Sequence, residues 1–337
     1  MKTRVAINGF GRIGRNAFKI AFARTDIEIV AINDLTNTES LAYLLKHDST
    51  YGLYDQEVTF DESHLIVAGK KIPVTAEKDP SLLPWVTLKV DVVIESTGRF
   101  TKKEDAELHI KAGAKKVVIS GPTKSEDIDT LVMGANDDKL EKATDIISNA
   151  SCTTNSLAAV MSIMDAAFGV QKAMLTTVHS YTASQVLQDG PAKDMRESRA
   201  AAENIVPTTT GAAVAVALTV PQLKGKFDGM SVRVPTPVVS LSDVTMLLKK
   251  DVTIDEVNKL FKKSVKEPYY QGILDISEEP LVSSDYIGNS HSGIVDLLLT
   301  NVVAGNLVKV VVWYDNEWGY SNRLVEVVSD VGQLLHK

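Results

Sequence analysis

Apolar and polar positions along this chain fall into blocks whose period changes. The apolar run Val5-Ala6-Ile7 leads into a glycine-rich turn, a stretch from Ile13 to Ala23 with helical spacing, and a second apolar run, Ile27 to Ile32, that ends in Asn33-Asp34. That succession predicts a strand, helix, strand unit and therefore a parallel sheet. It returns as Val90 to Ile94, the turn Ser96-Thr97-Gly98, a helical stretch Lys102 to Ala112 and the strand Val117 to Ser120. Further strands are predicted at Leu131 to Ala135 and Asp145 to Ser148. Glu57 to Thr75, punctuated by Gly69 and Pro73, reads as an antiparallel insertion.

After Cys152 the pattern shifts. A helix over Thr153 to Ala167 precedes long β-rich runs at Ala173 to His179, Met230 to Pro235, Val238 to Leu248, Ile294 to Thr300 and Val308 to Tyr314. This is the grouping of an antiparallel α+β layer. The polar segment between Leu175 and Val206 contains Asp189-Gly190-Pro191 and is too long for a hairpin turn, so an ordered, functional excursion is expected. The last periodic stretch, Asn322 to Leu335, has one apolar face that needs a sheet to cover, and its expected place is the first domain. The resulting division is a dinucleotide-binding domain over residues 1–151, completed by a C-terminal helix over 318–337, and a catalytic domain over 152–317.

Length supports two domains, since one core rarely grows to 337 residues. The 36 basic and 43 acidic side chains give a net charge of −7 without a basic stripe, which argues against a dedicated nucleic-acid partner. The longest apolar stretch, Gly211 to Val220, is well short of the roughly 18 residues of a membrane span. Lys2 and Arg4 precede apolar residues as in a secretory signal, but Gly9, Gly11 and Arg12 interrupt it, so a cytoplasmic address is expected. A single cysteine, Cys152, excludes an intrachain disulfide and a cysteine-held metal; no metal is expected. The thiol is therefore core filler or chemistry.

Gly9-Phe10-Gly11-Arg12-Ile13-Gly14 matches GxGxxG between a predicted strand and helix, with Asp34 at the end of the next strand. This is the Rossmann dinucleotide fingerprint in its required context. Gly9 permits the tight turn, Gly11 lets the backbone approach a pyrophosphate, Gly14 lets helix and strand pack closely, and the helix start supplies N–H groups. Asp34 can accept the ribose hydroxyls of NAD and repels a 2′-phosphate, so NAD is preferred over NADP. Cys152 follows a strand and opens a helix, where the dipole favours thiolate. Of the six histidines, His179 ends a long strand and is the first candidate base; His291, flanked by loop residues, stays open as the other. Arg233 interrupts an apolar strand and requires an anionic partner, either a protein carboxylate or a substrate phosphate. Thr208-Thr209-Thr210-Gly211 precedes an apolar helical run and suits either an anion or a helix cap.

Taken in order, Ile7-Asn8-Gly9-Phe10-Gly11-Arg12-Ile13-Gly14-Arg15, Glu95-Ser96-Thr97-Gly98, Ala150-Ser151-Cys152-Thr153-Thr154-Asn155, Thr177-Val178-His179-Ser180-Tyr181-Thr182, Arg233-Val234-Pro235-Thr236-Pro237 and Trp313-Tyr314-Asp315-Asn316-Glu317-Trp318 make the chain similar, end to end, to the phosphorylating, NAD-dependent glyceraldehyde-3-phosphate dehydrogenases of glycolysis. The resemblance implies a homotetramer that oxidises D-glyceraldehyde 3-phosphate with NAD and inorganic phosphate. It implies Cys152 as nucleophile and His179 as base. Thr182 and Arg233 would hold the substrate's phosphate; Ser151, Thr153, Thr210 and Gly211 would line the site of inorganic phosphate. Cofactor contacts would come from Gly9, Gly11, Arg12, Ile13, Asp34, Lys78, Ser96, Thr97 and Ser120, with Asn316 orienting the carboxamide and Tyr320 near the nicotinamide. Two departures stand out. Ser156 replaces a second cysteine found in many members, and Glu197 follows Arg196 where some members carry another arginine, so Arg196 stays outside the expected site. The competing readings are a sister enzyme acting on erythrose 4-phosphate and, from another class, a nucleotide-responsive RNA-binding protein, which the acidic balance disfavours.

Overall fold

The structure, a computed structural model, describes residues 1–336. The chain divides into two compact units: residues 1–131, 138–150 and Ser321 onward form one, and residues 132–137 and 151–320 the other.

The first unit is built on a nine-stranded sheet in the order Asp129–Thr130, Ile146–Ser148, Lys116–Ile119, Val92–Glu95, Thr3–Asn8, Ile27–Asn33, Lys70–Thr75, His64–Val67, Val58–Phe60. The first seven of these run parallel, and the last two complete an antiparallel meander. Thr3–Asn8, Ile27–Asn33 and Val92–Glu95 are buried almost throughout, as continuous apolar runs covered on both faces must be. Thr3–Asn8 lies between the other two, so the chain crosses to opposite sides of it, and ligands of such sheets bind at the carboxyl ends of the strands there. The helix Arg12–Phe22 packs Ala17, Phe18 and Ala21 inward. In the last helix, Gly332 allows so close an approach to the first strand that a Cβ would lie 2.1 Å from Thr3 Cγ2.

The second unit carries an eight-stranded, mostly antiparallel sheet whose main path is Val206–Thr209, Phe227–Val234, Val170–Ser180, Ser240–Leu248, Leu307–Tyr314, Gly293–Asp296, Leu274–Ser277. The helix Cys152–Phe168 buries Leu157, Val160, Met161 and Met164 in a core shared with Leu175, Val244, Met246 and Val310. Strict alternation in Ser240–Leu248 puts Leu248, Met246 and Val244 on the buried face, then Ser242 and Ser240. Val170–Ser180 changes in the same direction, from Ala173 and Leu175 to Thr177 and His179, and Leu307–Tyr314 ends in buried Tyr314. One end of the core is thus polar.

Four elements differ from the reading of periodicity. Leu131 to Ala135 is not a strand: pairing stops at Thr130, because Gly134 adopts φ +78° and Asn136 Oδ1 accepts from Val132 N, turning the chain. The strand expected over Ile294 to Thr300 ends at Asp296, whose carboxylate accepts from Leu298 N in a turn. The helices Thr38–Lys46 and Ile254–Ser264 were not legible as a long apolar period, although Thr253 and Glu256 form a full capping box for the second.

Candidate active site and cofactor cleft

The thiol of the second unit is presented by a strained turn. Ala150, a non-glycine residue at φ +55°, precedes Ser151, which caps the helix: Ser151 Oγ accepts from Thr154 N at 3.1 Å. Cys152 is the first helical residue and half-buried. Its Sγ lies 3.4 Å from His179 Nε2. His291 instead faces Asn289 and, at 4.0 Å, Asp275, so the structure brings His179 and not His291 to the thiol. Behind the pair, the Tyr314 hydroxyl lies 2.9 Å from both Thr153 Oγ1 and Thr177 Oγ1, tying the first helical turn to the buried sheet face.

Arg233 reaches the same place through strand register. Parallel pairing sets it directly beside His179, and its Nη1 lies 2.6 Å from His179 Nδ1. It has no carboxylate partner among the described residues, and its buried Nε lacks any acceptor. Of the two partners its sequence position allowed, a protein carboxylate is not found among the described residues.

These neighbours set the charges. Burial pushes the Cys152 thiol up from its ordinary range, while the Arg233 charge and hydrogen bonds at Thr153 pull the other way. Burial and then Arg233 push His179 down to about 3, so the ring is neutral near pH 7. Burial thus works against the pull toward thiolate that the helix start predicts, and the cation acting on the sulfur is Arg233.

The remaining anion candidates are engaged locally. Thr210 Oγ1 accepts from Ala212 N at 3.1 Å, and Gly211 is the N-cap of the helix Ala212–Thr219. Thr182 Oγ1 contacts Ser184 Oγ at 3.0 Å, and Ser184 donates to Glu197 at 3.3 Å, so the carboxylate is linked to a threonine expected to meet phosphate. Asn316 is buried and accepts from Ser240 Oγ at 3.0 Å; Tyr320 is buried too, and both belong to the second unit.

In the first unit a cleft of about 440 Å³ opens at the strand ends, lined by Gly9, Gly11, Asp34, Lys78, Ser96 and Thr97 among others. Gly9 has φ +91° and its missing Cβ would lie 2.7 Å from Thr97 N, while a Cβ on Gly14 would lie 2.1 Å from Gly9 O. A Cβ on Gly11 would meet nothing within 4 Å. Two of the three glycines are therefore required by the protein's own packing, and the third leaves the wall of the cleft open. Asp34 Oδ2 accepts from Phe10 N at 2.7 Å and Oδ1 from Thr36 N at 3.0 Å, so the acid also shapes the glycine loop. Ser96 Oγ donates to Gly9 O at 2.7 Å. Arg12, Ile13 and Ser120 do not line the cleft: Arg12 pairs with Asp48 at 2.5 Å, and Ser120 donates its N–H to Glu95 O.

Sequence reasoning missed the support beneath this cleft. Glu95, buried at a strand end, accepts from Thr97 N at 2.8 Å, Asn8 Nδ2 at 2.6 Å and His109 Nε2 at 3.0 Å. Trp85 Nε1 donates to His109 Nδ1 at 3.0 Å, which leaves the ring proton on Nε2 and fixes the tautomer. Asn33 donates to Asn8 Oδ1 at 2.7 Å and closes the chain beside Asp34. The signal was a carboxylate inside an apolar run, the counterpart of Arg233.

A doubly covered parallel sheet with a glycine-lined cleft at its switch point, joined in sequence to an α+β unit, defines a nicotinamide-dependent oxidoreductase. Residues 3–103 match the family model described as glyceraldehyde 3-phosphate dehydrogenase, NAD binding domain, and residues 151–316 match that of its C-terminal domain. The chain is 56% identical over 330 residues to glyceraldehyde-3-phosphate dehydrogenase of Geobacillus stearothermophilus, covering 98% of each chain. It is 53% identical over 334 residues to glyceraldehyde-3-phosphate dehydrogenase 1 of Bacillus subtilis, covering 99% of each, and 56% identical over 327 residues to the Thermotoga maritima enzyme, covering 96% of this chain and 98% of that one. The chain belongs to the glyceraldehyde-3-phosphate dehydrogenase family.

Proposed function

We propose that this chain oxidises D-glyceraldehyde 3-phosphate with NAD and inorganic phosphate to 1,3-bisphosphoglycerate. The observation that carries the reading is the 3.4 Å approach of Cys152 Sγ to a neutral His179 Nε2 with the Arg233 guanidinium beside it. Sulfur attacks the aldehyde carbon, His179 takes the thiol proton, and the Cys152 N–H at the helix start faces the developing oxyanion. Bound NAD supplies the hydride acceptor that turns the hemithioacetal into a thioester. Inorganic phosphate then attacks the thioester, with Ser151, Thr153, Thr210 and Gly211 as its seat, while Arg233 and Thr182 hold the substrate's own phosphate. Gly9, Gly11, Asp34, Lys78, Ser96 and Thr97 hold the dinucleotide, Asn316 and Tyr320 the nicotinamide; Arg12, Ile13 and Ser120 contribute through the shape of the loop and strand ends. Residues 1–151 together with residues 318–337, which include the helix Trp318–Leu334, serve as the NAD-binding domain, and 152–317 as the catalytic domain.

A homotetramer is part of this reading. The second unit exposes Met174, Val214, Leu218 and Leu307 around an apolar hollow of about 750 Å³ that contains none of the proposed catalytic residues, a surface suited to another copy of the chain. No helix among the described residues is long and apolar enough to cross a membrane, and the proposed address is the cytoplasm, where a lone thiol stays reduced. The test is an NADH absorbance assay with glyceraldehyde 3-phosphate, with and without phosphate, before and after one equivalent of alkylating agent per chain. Phosphate-dependent NADH formation silenced by that equivalent supports the reading; free acid as the product in the presence of phosphate, or full activity of Cys152→Ser, overturns it.

A further inference from the structure

The excursion that follows His179 carries a chain of hydrogen bonds with one direction. Thr182 lies two residues past Ser180, where the strand pairing that sets His179 beside Arg233 ends. Its Oγ1 is 3.0 Å from Ser184 Oγ, and Ser184 Oγ donates to Glu197 Oε1 at 3.3 Å. Two backbone bonds, Ala201 N to Val186 O and Gly190 N to Ser198 O, both at 3.0 Å, fold the segment back so that residue 197 reaches residue 184. A carboxylate only accepts, so the one hydrogen of Ser184 goes to Glu197. Ser184 is then the acceptor toward Thr182, and the Thr182 hydroxyl gives its own hydrogen to Ser184. The Thr182 N–H is engaged as well, by Gln185 Oε1 at 3.4 Å. Neither hydrogen is left for an anion. Among the described residues no cation pairs with Glu197; Arg199, two residues on, is held by Asp189 at 2.7 Å.

Resting on the role proposed above for Thr182 as a seat of the substrate's own phosphate, we infer that Glu197 is a specificity-determining residue acting through Ser184: it turns the Thr182 hydroxyl away from an incoming phosphoryl group and loosens the hold on it. A phosphate monoester is mostly dianionic near neutral pH, and its oxygens accept hydrogen bonds. Thr182 meets it with lone pairs. A bond forms there only after the hydroxyl swings off Ser184, and Ser184, whose hydrogen is on Glu197, has none to give in exchange. The carboxylate adds a repulsion that solvent screens. The phosphorylated aldehyde and the product that keeps its phosphoryl group are therefore both held less tightly, whereas an aldehyde without that group does not meet the relay. Glu197 acts through its neighbours and is a positioning residue. Glutamine at 197 reverses the direction: its amide N–H donates to Ser184, Ser184 donates to Thr182, and the Thr182 hydrogen is free for phosphate. Only hydroxyl rotations are involved; no proton changes atoms and no covalent bond forms or breaks.

The experiment measures the competitive inhibition constant of glycerol 3-phosphate, which has the phosphoryl group and no aldehyde, on the full-length enzyme saturated with NAD. Wild type is compared with Glu197→Gln, Ser184→Ala and the double variant. Each single variant should bind the inhibitor about three- to tenfold more tightly, the weight of one hydrogen bond at a partly exposed site. The double variant should bind it no more tightly than either, because both changes release the same hydrogen. For phosphate-free glyceraldehyde, kcat/KM should stay at the wild-type value in all three, which a damaged loop would not allow, and Ser184→Thr, which keeps the hydroxyl, should keep the wild-type inhibition constant. A charge acting through space alone predicts that Ser184→Ala changes nothing and that the effect of Glu197→Gln persists in the double variant; either result overturns the relay. Thr182→Val in the Ser184→Ala background separates the inference from the reading beneath it. If it weakens glycerol 3-phosphate while Glu197→Gln alone has no effect, Thr182 keeps its phosphate and the relay alone falls. If it changes nothing, Thr182 is not part of the phosphate seat and both fall.

Discussion

Replacing Asp34 by alanine separates two jobs that the structure gives one carboxylate. Oδ2 holds Phe10 N at 2.7 Å and Oδ1 holds Thr36 N at 3.0 Å, so the substitution loosens the glycine loop for any dinucleotide. Loss of such a charge-assisted bond costs about 1.5–3 kcal/mol, or on the order of ten- to a hundredfold in affinity, shared by NAD and NADP. The second job is selective. A carboxylate about 5 Å from a 2′-phosphate, at an effective dielectric of about 20, repels each unit of charge by about 3 kcal/mol, and the half-exposed position of Asp34 screens much of that. Removing it returns roughly 1–2 kcal/mol to NADP alone. NAD affinity should therefore fall ten- to a hundredfold or more, while the NADP to NAD preference rises by about ten. Fluorescence titration of both reduced cofactors against the variant, with kcat/KM for each, reads the two effects independently. An unchanged preference ratio would show that Asp34 acts only on the loop, and the selectivity argument would fail.

Gly11→Ala should leave thermal stability within about 0.5 kcal/mol of wild type, because its Cβ meets nothing, yet weaken NAD in a titration; Gly14→Ala, with a Cβ 2.1 Å from Gly9 O, should lose stability outright by about 1–3 kcal/mol. His179 gives a pH dependence of fixed sign. Its folded pKa of about 3 lies below the unfolded 6.5, so the unfolded chain binds the extra proton and stability falls as pH drops from about 6.5 toward 3. Denaturant unfolding at fixed protein concentration should show about 2 kcal/mol lost by pH 5, and His179→Gln should flatten that part of the profile. Tyr314→Phe leaves the Thr153 and Thr177 hydroxyls without their shared partner and should cost about 1–3 kcal/mol, measured by the same unfolding and accompanied by slower turnover.

The parts of this molecule legible in the sequence are those fixed by neighbours along the chain. GxGxxG, the acid at the next strand end and a cysteine at a helix start all follow from local turn and helix chemistry, and each lies where its motif placed it. What stayed hidden depends on register between distant strands. Nothing local says that Arg233 sits beside His179, 54 residues away, or that one Tyr314 hydroxyl joins Thr153 and Thr177. Glu95 and His109 are a similar case: their bond forms because two buried polar groups had to find each other under the cleft. Leu131 to Ala135 fails for the opposite reason, an apolar composition overruled by Gly134 and the Asn136 side chain.

Magnitudes decide the state of the proposed nucleophile. A helix start offers an anion about 0.3–1 kcal/mol, less than one unit at 1.36 kcal/mol per pKa unit. Burial of an ionisable group shifts it by up to several units, and at Cys152 it is the largest influence, ahead of the opposing Arg233 charge. Helix position alone therefore does not decide the sulfur's charge: burial works against it, and the proposed attack calls for a base beside the sulfur. The base in reach is His179 Nε2 at 3.4 Å, and burial favours the neutral form of that ring, the form able to accept. The same desolvation that protects the thiol prepares its base, so a substitution that let water into this end of the core would lower the sulfur pKa and raise that of the histidine together. Alkylation would become faster near neutral pH while the oxidation, which needs the unprotonated ring, would become slower.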